Sequence, residues 1–155
     1  MTAYEELLQE ADDNDIELLE FTFHGTNKGM YIDNVIAIRS DIKTYTEKKC
    51  ILIEELGHHY MTIGNITDLK SVCNRRQERQ ARKWSYERLV PLKSIINASF
   101  ECCTNLYELA KYLDVTEVFL KDALIHYQTK YGLYAEVGNY CIYFNPLTVC
   151  KYNYE

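Results

Sequence analysis

The amino-acid sequence predicts an α+β fold, mostly helical, with a small β-sheet. Three observations carry this. Residues 41–62, 74–89 and 106–131 place apolar side chains near helical spacing. Residues 16–23 and 30–38 are short runs rich in β-branched and aromatic residues, separated by the turn signal Asn27-Lys28-Gly29. A last aromatic and β-branched tract covers residues 134–149.

In chain order, residues 4–13 read as a helix with Leu7, Leu8 and Ala11 on one face, stopped by Asp12-Asp13-Asn14-Asp15. Residues 16–23 form a strand. Residues 30–38 form a second, with Asp33-Asn34 as a turn or bulge inside it. A long buried helix follows over 41–62, with Ser40 or Asp41 as its cap. Residues 64–71 read as a loop and 74–89 as a strong helix ending near Pro91. A short helix covers 92–98. Two more, 106–113 and 117–131, flank Asp114-Val115-Thr116, where Thr116 is a good N-cap. The tail, broken at Gly138-Asn139, reads as a closing hairpin. The 155 residues divide into a core over 1–95 and a C-terminal helical and hairpin segment over 96–155, packed together as one unit.

Composition narrows the function classes. The chain is 47% hydrophobic and 26% charged, ordinary globular proportions. A net charge of −6 provides no global footprint for nucleic acid, so direct nucleic-acid binding is not expected. No apolar run approaches the roughly 18 residues of a membrane span. The acidic, amphipathic N-terminus does not read as a secretion signal, so a cytoplasmic protein is expected. The six cysteines (Cys50, Cys73, Cys102, Cys103, Cys141, Cys150) lack zinc-finger or thioredoxin spacing and read as reduced thiols packed as small hydrophobes.

The stretch Glu54-Glu55-Leu56-Gly57-His58-His59 carries the chemistry. On a helix, Glu54 and His58 lie four apart on one face. The zinc-protease motif HExxH uses that relation to aim two ligands at one ion, and the glutamate after the first ligand serves as general base. Glu54 stands here in the place of the first histidine. Glu55 and His59 share the same spacing, but the residue after Glu55 is Leu56, which cannot take a proton. The Glu54/His58 register therefore supplies two ligands and a base together. Gly57 fits it too: a glycine inside a helix costs about 1 kcal/mol relative to alanine, and close approach of another backbone or of substrate would justify it. His59 reads as a capping, packing or hydrogen-bonding residue.

A second motif follows in Asn74 to Pro91: Glu78, Ala81, Trp84 and Ser85, then Leu89, Val90 and Pro91. With Glu54 to His58, it resembles the ImmA/IrrE family of metallopeptidases of phages, integrative elements and bacteria. That family has an HELGH helix and then a helix of the form E-x-x-A-x-x-F-A. Phage members often read EELGHHY, as here. The resemblance covers roughly residues 3 to 95 well. It implies a zincin-like metallopeptidase domain in which Glu54, His58 and Glu78 are metal ligands and Glu55 is the general base. It implies a zinc cofactor, with manganese or iron as alternatives. It also implies an endopeptidase acting on a helix-turn-helix repressor of a phage or mobile element. A protein of the same fold that grips a repressor without cutting it is the competing reading.

Three features remain. Tyr60 and Tyr86 are candidate oxyanion donors or packing residues. Arg75, Arg76, Arg79, Arg82 and Lys83 surround Glu78 as a solvated face, a contact for an acidic partner or phosphate, or a means of orienting Glu78. Residues 106–131 have the apolar spacing of a helix-turn-helix, but Glu117, Lys121, Asp122 and His126 suit a DNA groove poorly. They read as a packing unit or docking surface ahead of a DNA-binding regulator.

Overall fold

The computed structural model describes residues 1–61, 72–101, 103 and 105–152, and the side chains of all of these except 72–74. The expected loop over 64–71 lies outside the described residues. The protein is a mostly helical α+β fold with two three-stranded sheets among the described residues, where the sequence predicted one sheet. It divides into two compact units, Met1–Ser85 and Tyr86–Glu155.

The first unit opens with helix α1, Ala3–Asp13. Thr2 and Glu5 form a capping box: the Glu5 N–H donates to Thr2 Oγ1 at 3.2 Å, and the Thr2 N–H donates to Glu5 Oε2 at 2.7 Å. Tyr4, Leu7 and Ala11 are buried. Asp15, at φ 56°, takes the left-handed turn that ends the element. Strands β1 (Glu17–Phe21), β2 (Gly29–Ile32) and β3 (Val35–Arg39) follow. Asp33 and Asn34 both have positive φ, so the expected run 30–38 folds back as a tight hairpin. The sheet order is β1-β3-β2, with β1 parallel and β2 antiparallel to β3. The central β3 carries the buried Ile36, Ala37 and Ile38, and β2 is an edge.

Helix α2, Tyr45–Met61, starts later than expected. Neither Ser40 nor Asp41 caps it. The Glu47 N–H donates to Thr44 Oγ1 at 3.2 Å, the bond an N-cap makes, while Asp41 pairs with Arg39 at 2.5 Å. Residues 49 to 53 and 55 to 57 of α2 are all buried, as befits a helix enclosed on most of its sides. Helix α3 is Val72–Leu89.

The second unit contains α4 (Leu92–Phe100), α5 (Leu106–Leu113) and α6 (Glu117–Tyr131). Asn105 caps α5 and Thr116 caps α6, each accepting a backbone N–H. Asp114 turns between them at φ 53°. Leu109, Ala110, Val115, Phe119 and Leu120 fill the core. The buried His126 also faces inward, so it is no part of an exposed reading face. The tail makes three strands, β4 (Tyr134–Val137), β5 (Tyr140–Phe144) and β6 (Leu147–Lys151), in a meander. The expected hairpin is its first half; Asn145-Pro146 makes the second reversal. No helix among the described residues is long and apolar enough to cross a membrane.

Candidate metal centre

Gly57 organises the site. A Cβ built there would stand 2.7 Å from the Ala81 carbonyl oxygen and 3.2 Å from Ala81 Cα. Only glycine lets the α3 backbone come this close to α2. The close approach that the sequence suggested is therefore backbone against backbone. One residue on from Gly57 is His58, and three residues before Ala81 is Glu78. The crossing brings them together: His58 Nε2 lies 3.0 Å from Glu78 Oε2. Arg82, one turn beyond Glu78, holds the other carboxylate oxygen at 3.1 Å.

Glu54, Glu55, His58, Glu78 and Arg82 line one open cavity of about 510 Å³, whose far wall is the edge strand β2. Gly29 begins that strand, where the sequence showed only a turn signal. A Cβ on Gly29 would meet Ile51 Cγ2 at 2.5 Å and Glu55 Oε1 at 3.0 Å. The missing side chain makes room for the Glu55 carboxylate.

The charges at the site depend on each other. Burial pushes the Glu55 carboxyl up to about 7, opposed by the attraction of His58 and reinforced by the carboxylates of Glu54 and Glu78. The hydrogen bond to Glu78 raises the His58 imidazole against its own burial. The same bond lowers the Glu78 carboxyl, with help from Arg82.

Two carboxylates and an imidazole are zinc donors, and bonds of about 2.0–2.2 Å would hold neighbouring donor atoms roughly 3.3–3.5 Å apart. The His58–Glu78 separation is within a few tenths of an ångström of that span. Among the described residues, however, no three His, Cys, Asp or Glu side chains already converge on one point. Glu54 shares the cavity with the pair without closing on it. The donor set fits a cation in chemistry, and in geometry for the His58–Glu78 pair.

The neighbouring residues fall on the structural side. His59 Nδ1 bonds the Tyr31 hydroxyl at 2.8 Å. The Tyr60 hydroxyl donates to Glu10 Oε1 at 2.7 Å and its ring packs on Trp84. It ties α1 to α2 rather than facing the cavity. Tyr86 packs against Phe119 and His126. Arg75, Arg76, Arg79 and Lys83 are exposed. Tyr31 and Lys28 line the cavity, and neither was picked from the sequence. Lys28 just before β2 and Tyr31 within it reach the cavity through the placement of that edge strand, which became visible only with the sheet order.

The family model of the IrrE N-terminal-like domain, Peptidase_M78, matches residues 8–124. The chain belongs to this family. Its activity class is that of a metallopeptidase. No curated protein matches the chain. The match runs from the second half of α1 to the middle of α6 and includes both motifs that line the cavity.

Proposed function

We propose that the protein is a metal-dependent endopeptidase in which Glu54, His58 and Glu78 hold one cation and Glu55 is the general base. The observation that carries this is the cavity itself. One open cleft gathers the proposed ligands, a buried carboxyl group and an edge strand with no further strand partner among the described residues, in a chain of a peptidase family. Zinc fits the donor set, with manganese or iron as alternatives. Bound there, the cation would polarise the scissile carbonyl and acidify a water molecule.

The chain's own residues would do the rest. Strand β2 is an edge, and an extended peptide can add to such an edge through backbone hydrogen bonds. A peptide on β2 would lie along the cavity wall opposite Glu54, Glu55 and His58. Glu55 would take the proton from water and later pass it to the leaving amine. Burial disfavours the Glu55 carboxylate and so favours its taking up a proton. Arg82 would hold Glu78 in place by occupying its outer oxygen.

The substrate we propose is a helix-turn-helix repressor of a phage or mobile element. This rests on the resemblance of the Glu54–His58 and Glu78–Pro91 motifs to proteins with that role. The test is co-expression with candidate repressors, read by intact mass. Cleavage by the parent chain and none by Glu55→Gln is the expected result. Binding without cleavage by both would make the protein a repressor-gripping relative instead.

A further inference from the structure

Strands β5 and β6 set Cys141 directly opposite Cys150. Opposed residues of antiparallel strands share a face of the sheet. The hydrogen-bond phase of this pair can be read from its surroundings. The Tyr152 N–H donates to Asn139 O at 2.8 Å, just beyond the ladder. Antiparallel bonding repeats every second residue, so Cys141 and Cys150 are in the same phase. On the other side of β5, the Phe144 N–H donates to Leu133 O at 3.3 Å. The even-numbered residues of β5 thus face β4, and the odd-numbered ones face β6.

A hydrogen-bonded pair holds its Cα atoms about 5.5 Å apart, inside the roughly 4.4–6.8 Å that a disulfide spans. Its Cβ atoms, at about 5.5 Å, are wider than the roughly 3.5–4.5 Å of a relaxed bridge. Closure would draw the strands together by about an ångström and leave a strained, easily reduced bond.

The two thiols differ in access. Cys150 is exposed and Cys141 is 2% exposed; both are free. Cys141 sits in a row with Glu136 of β4, and the Tyr152 hydroxyl donates to that glutamate at 3.1 Å. Among the other described cysteines, Cys50 is buried in α2 and Cys103 is half-buried outside any helix or strand.

We propose that Cys141 and Cys150 are a reversible oxidation site for a peroxide. The exposed Cys150 thiolate attacks one peroxide oxygen, the O–O bond breaks, and sulfenic acid and one water form. The Cys141 sulfur then attacks the Cys150 sulfur, the S–O bond breaks, and a second water leaves. Two thiols and one peroxide give one disulfide and two waters. A low-molecular-weight thiol reopens the bond by exchange.

The test uses the reduced, folded, full-length chain exposed to hydrogen peroxide, then denatured, alkylated and digested with trypsin. Lys130 and Lys151 bracket both cysteines, so residues 131–151 leave as one peptide. That peptide is expected to lose two hydrogens and resist alkylation. Reduced glutathione should restore both alkylation sites, and Cys150→Ser should never yield the lighter peptide. Two alkylated cysteines after peroxide would overturn the proposal. So would Cys150 advancing to sulfinic acid without a bridge, a bridge that survives glutathione, or equally fast bridging in urea-unfolded chain.

Discussion

Asn105 and Thr116 each cap a helix in Tyr86–Glu155, accepting backbone N–H groups at 2.8 and 3.1 Å. Asp114 turns between those helices, and the Tyr127 hydroxyl, enclosed in the core, donates to Val90 O at 2.7 Å. At the two caps and the turn, local sequence preference and final structure agree. Met1–Ser85 breaks the same rules around its cavity. It puts glycine in the middle of α2, a carboxyl group in the core beside it, and a second glycine where β2 begins. Each departure serves the same few side chains: Gly57 admits Ala81 and so brings Glu78 to His58, and Gly29 makes room for Glu55. Conflict between local rule and global fold is expected where a protein gives up stability for a site. The contrast between the units separates scaffold from site.

Mutations sharpen the contrast, beginning with the largest effect. Glu55→Gln keeps size and removes the base, so peptide cleavage should fall by about 10²–10⁴-fold while metal content is retained. Quantitative mass spectrometry of cleavage products checks it; parental rates would remove Glu55 from the mechanism.

The same variant should be more stable than its parent once chelator has removed metal. The Glu55 carboxyl rises from 4.5 to about 7 on folding, which corresponds to about 3 kcal/mol. Its folded pKa is the higher one, so the folded state gains from the neutral acid below pH 4.5 and loses that gain as pH rises through about 7. The advantage of Glu55→Gln should therefore be small at pH 4.5 and largest above pH 7. Denaturant melts across that range measure it, and a gap that shrinks with rising pH would contradict the burial of an acid there.

Gly57→Ala comes next. Alanine would gain about 1 kcal/mol of helix propensity, but its Cβ would run into the Ala81 backbone. We expect a net loss of about 2 kcal/mol, together with weakened metal retention as Glu78 moves from His58. Increased stability would show that the crossing can relax. In Tyr86–Glu155, Thr116→Ala should cost only about 1 kcal/mol and leave metal content untouched. A loss of metal in that variant would break the separation of scaffold from site.

The sequence made the second unit legible because its signals are local. The helices 106–113 and 117–131 were readable to the residue, since caps and periodicity mark both ends. The third strand of the tail was missed because only the break at Gly138-Asn139 was read as a turn, so that Asn145-Pro146 and Leu147–Lys151 fell into a single hairpin. In the first unit, Thr44 was passed over as the cap of α2 because Ile42 lies at helical spacing before it; Ile42 is buried outside the helix instead. The helix predicted to begin at residue 4 passes over the T-x-x-E pattern of Thr2 and Glu5 that marks the cap of α1. Glu54, Glu55 and His58 could be named from motif spacing, and Glu78 only through the family resemblance; all four line one cavity. Tyr31, Lys28 and the role of Gly29 could not be named. They reach the site through the pairing of β2 with β3 and the position of that sheet edge against α2, which no local pattern encodes.

Elemental analysis by plasma mass spectrometry, on protein purified without chelator, tests whether Glu54, His58 and Glu78 hold one ion. Near-equimolar zinc, manganese or iron is predicted for the parent chain and for Glu55→Gln. Glu54→Ala, His58→Ala and Glu78→Ala should each lose it while keeping the parental circular dichroism. A folded parent chain without metal, or one whose metal persists in all three alanine variants, would contradict the claim.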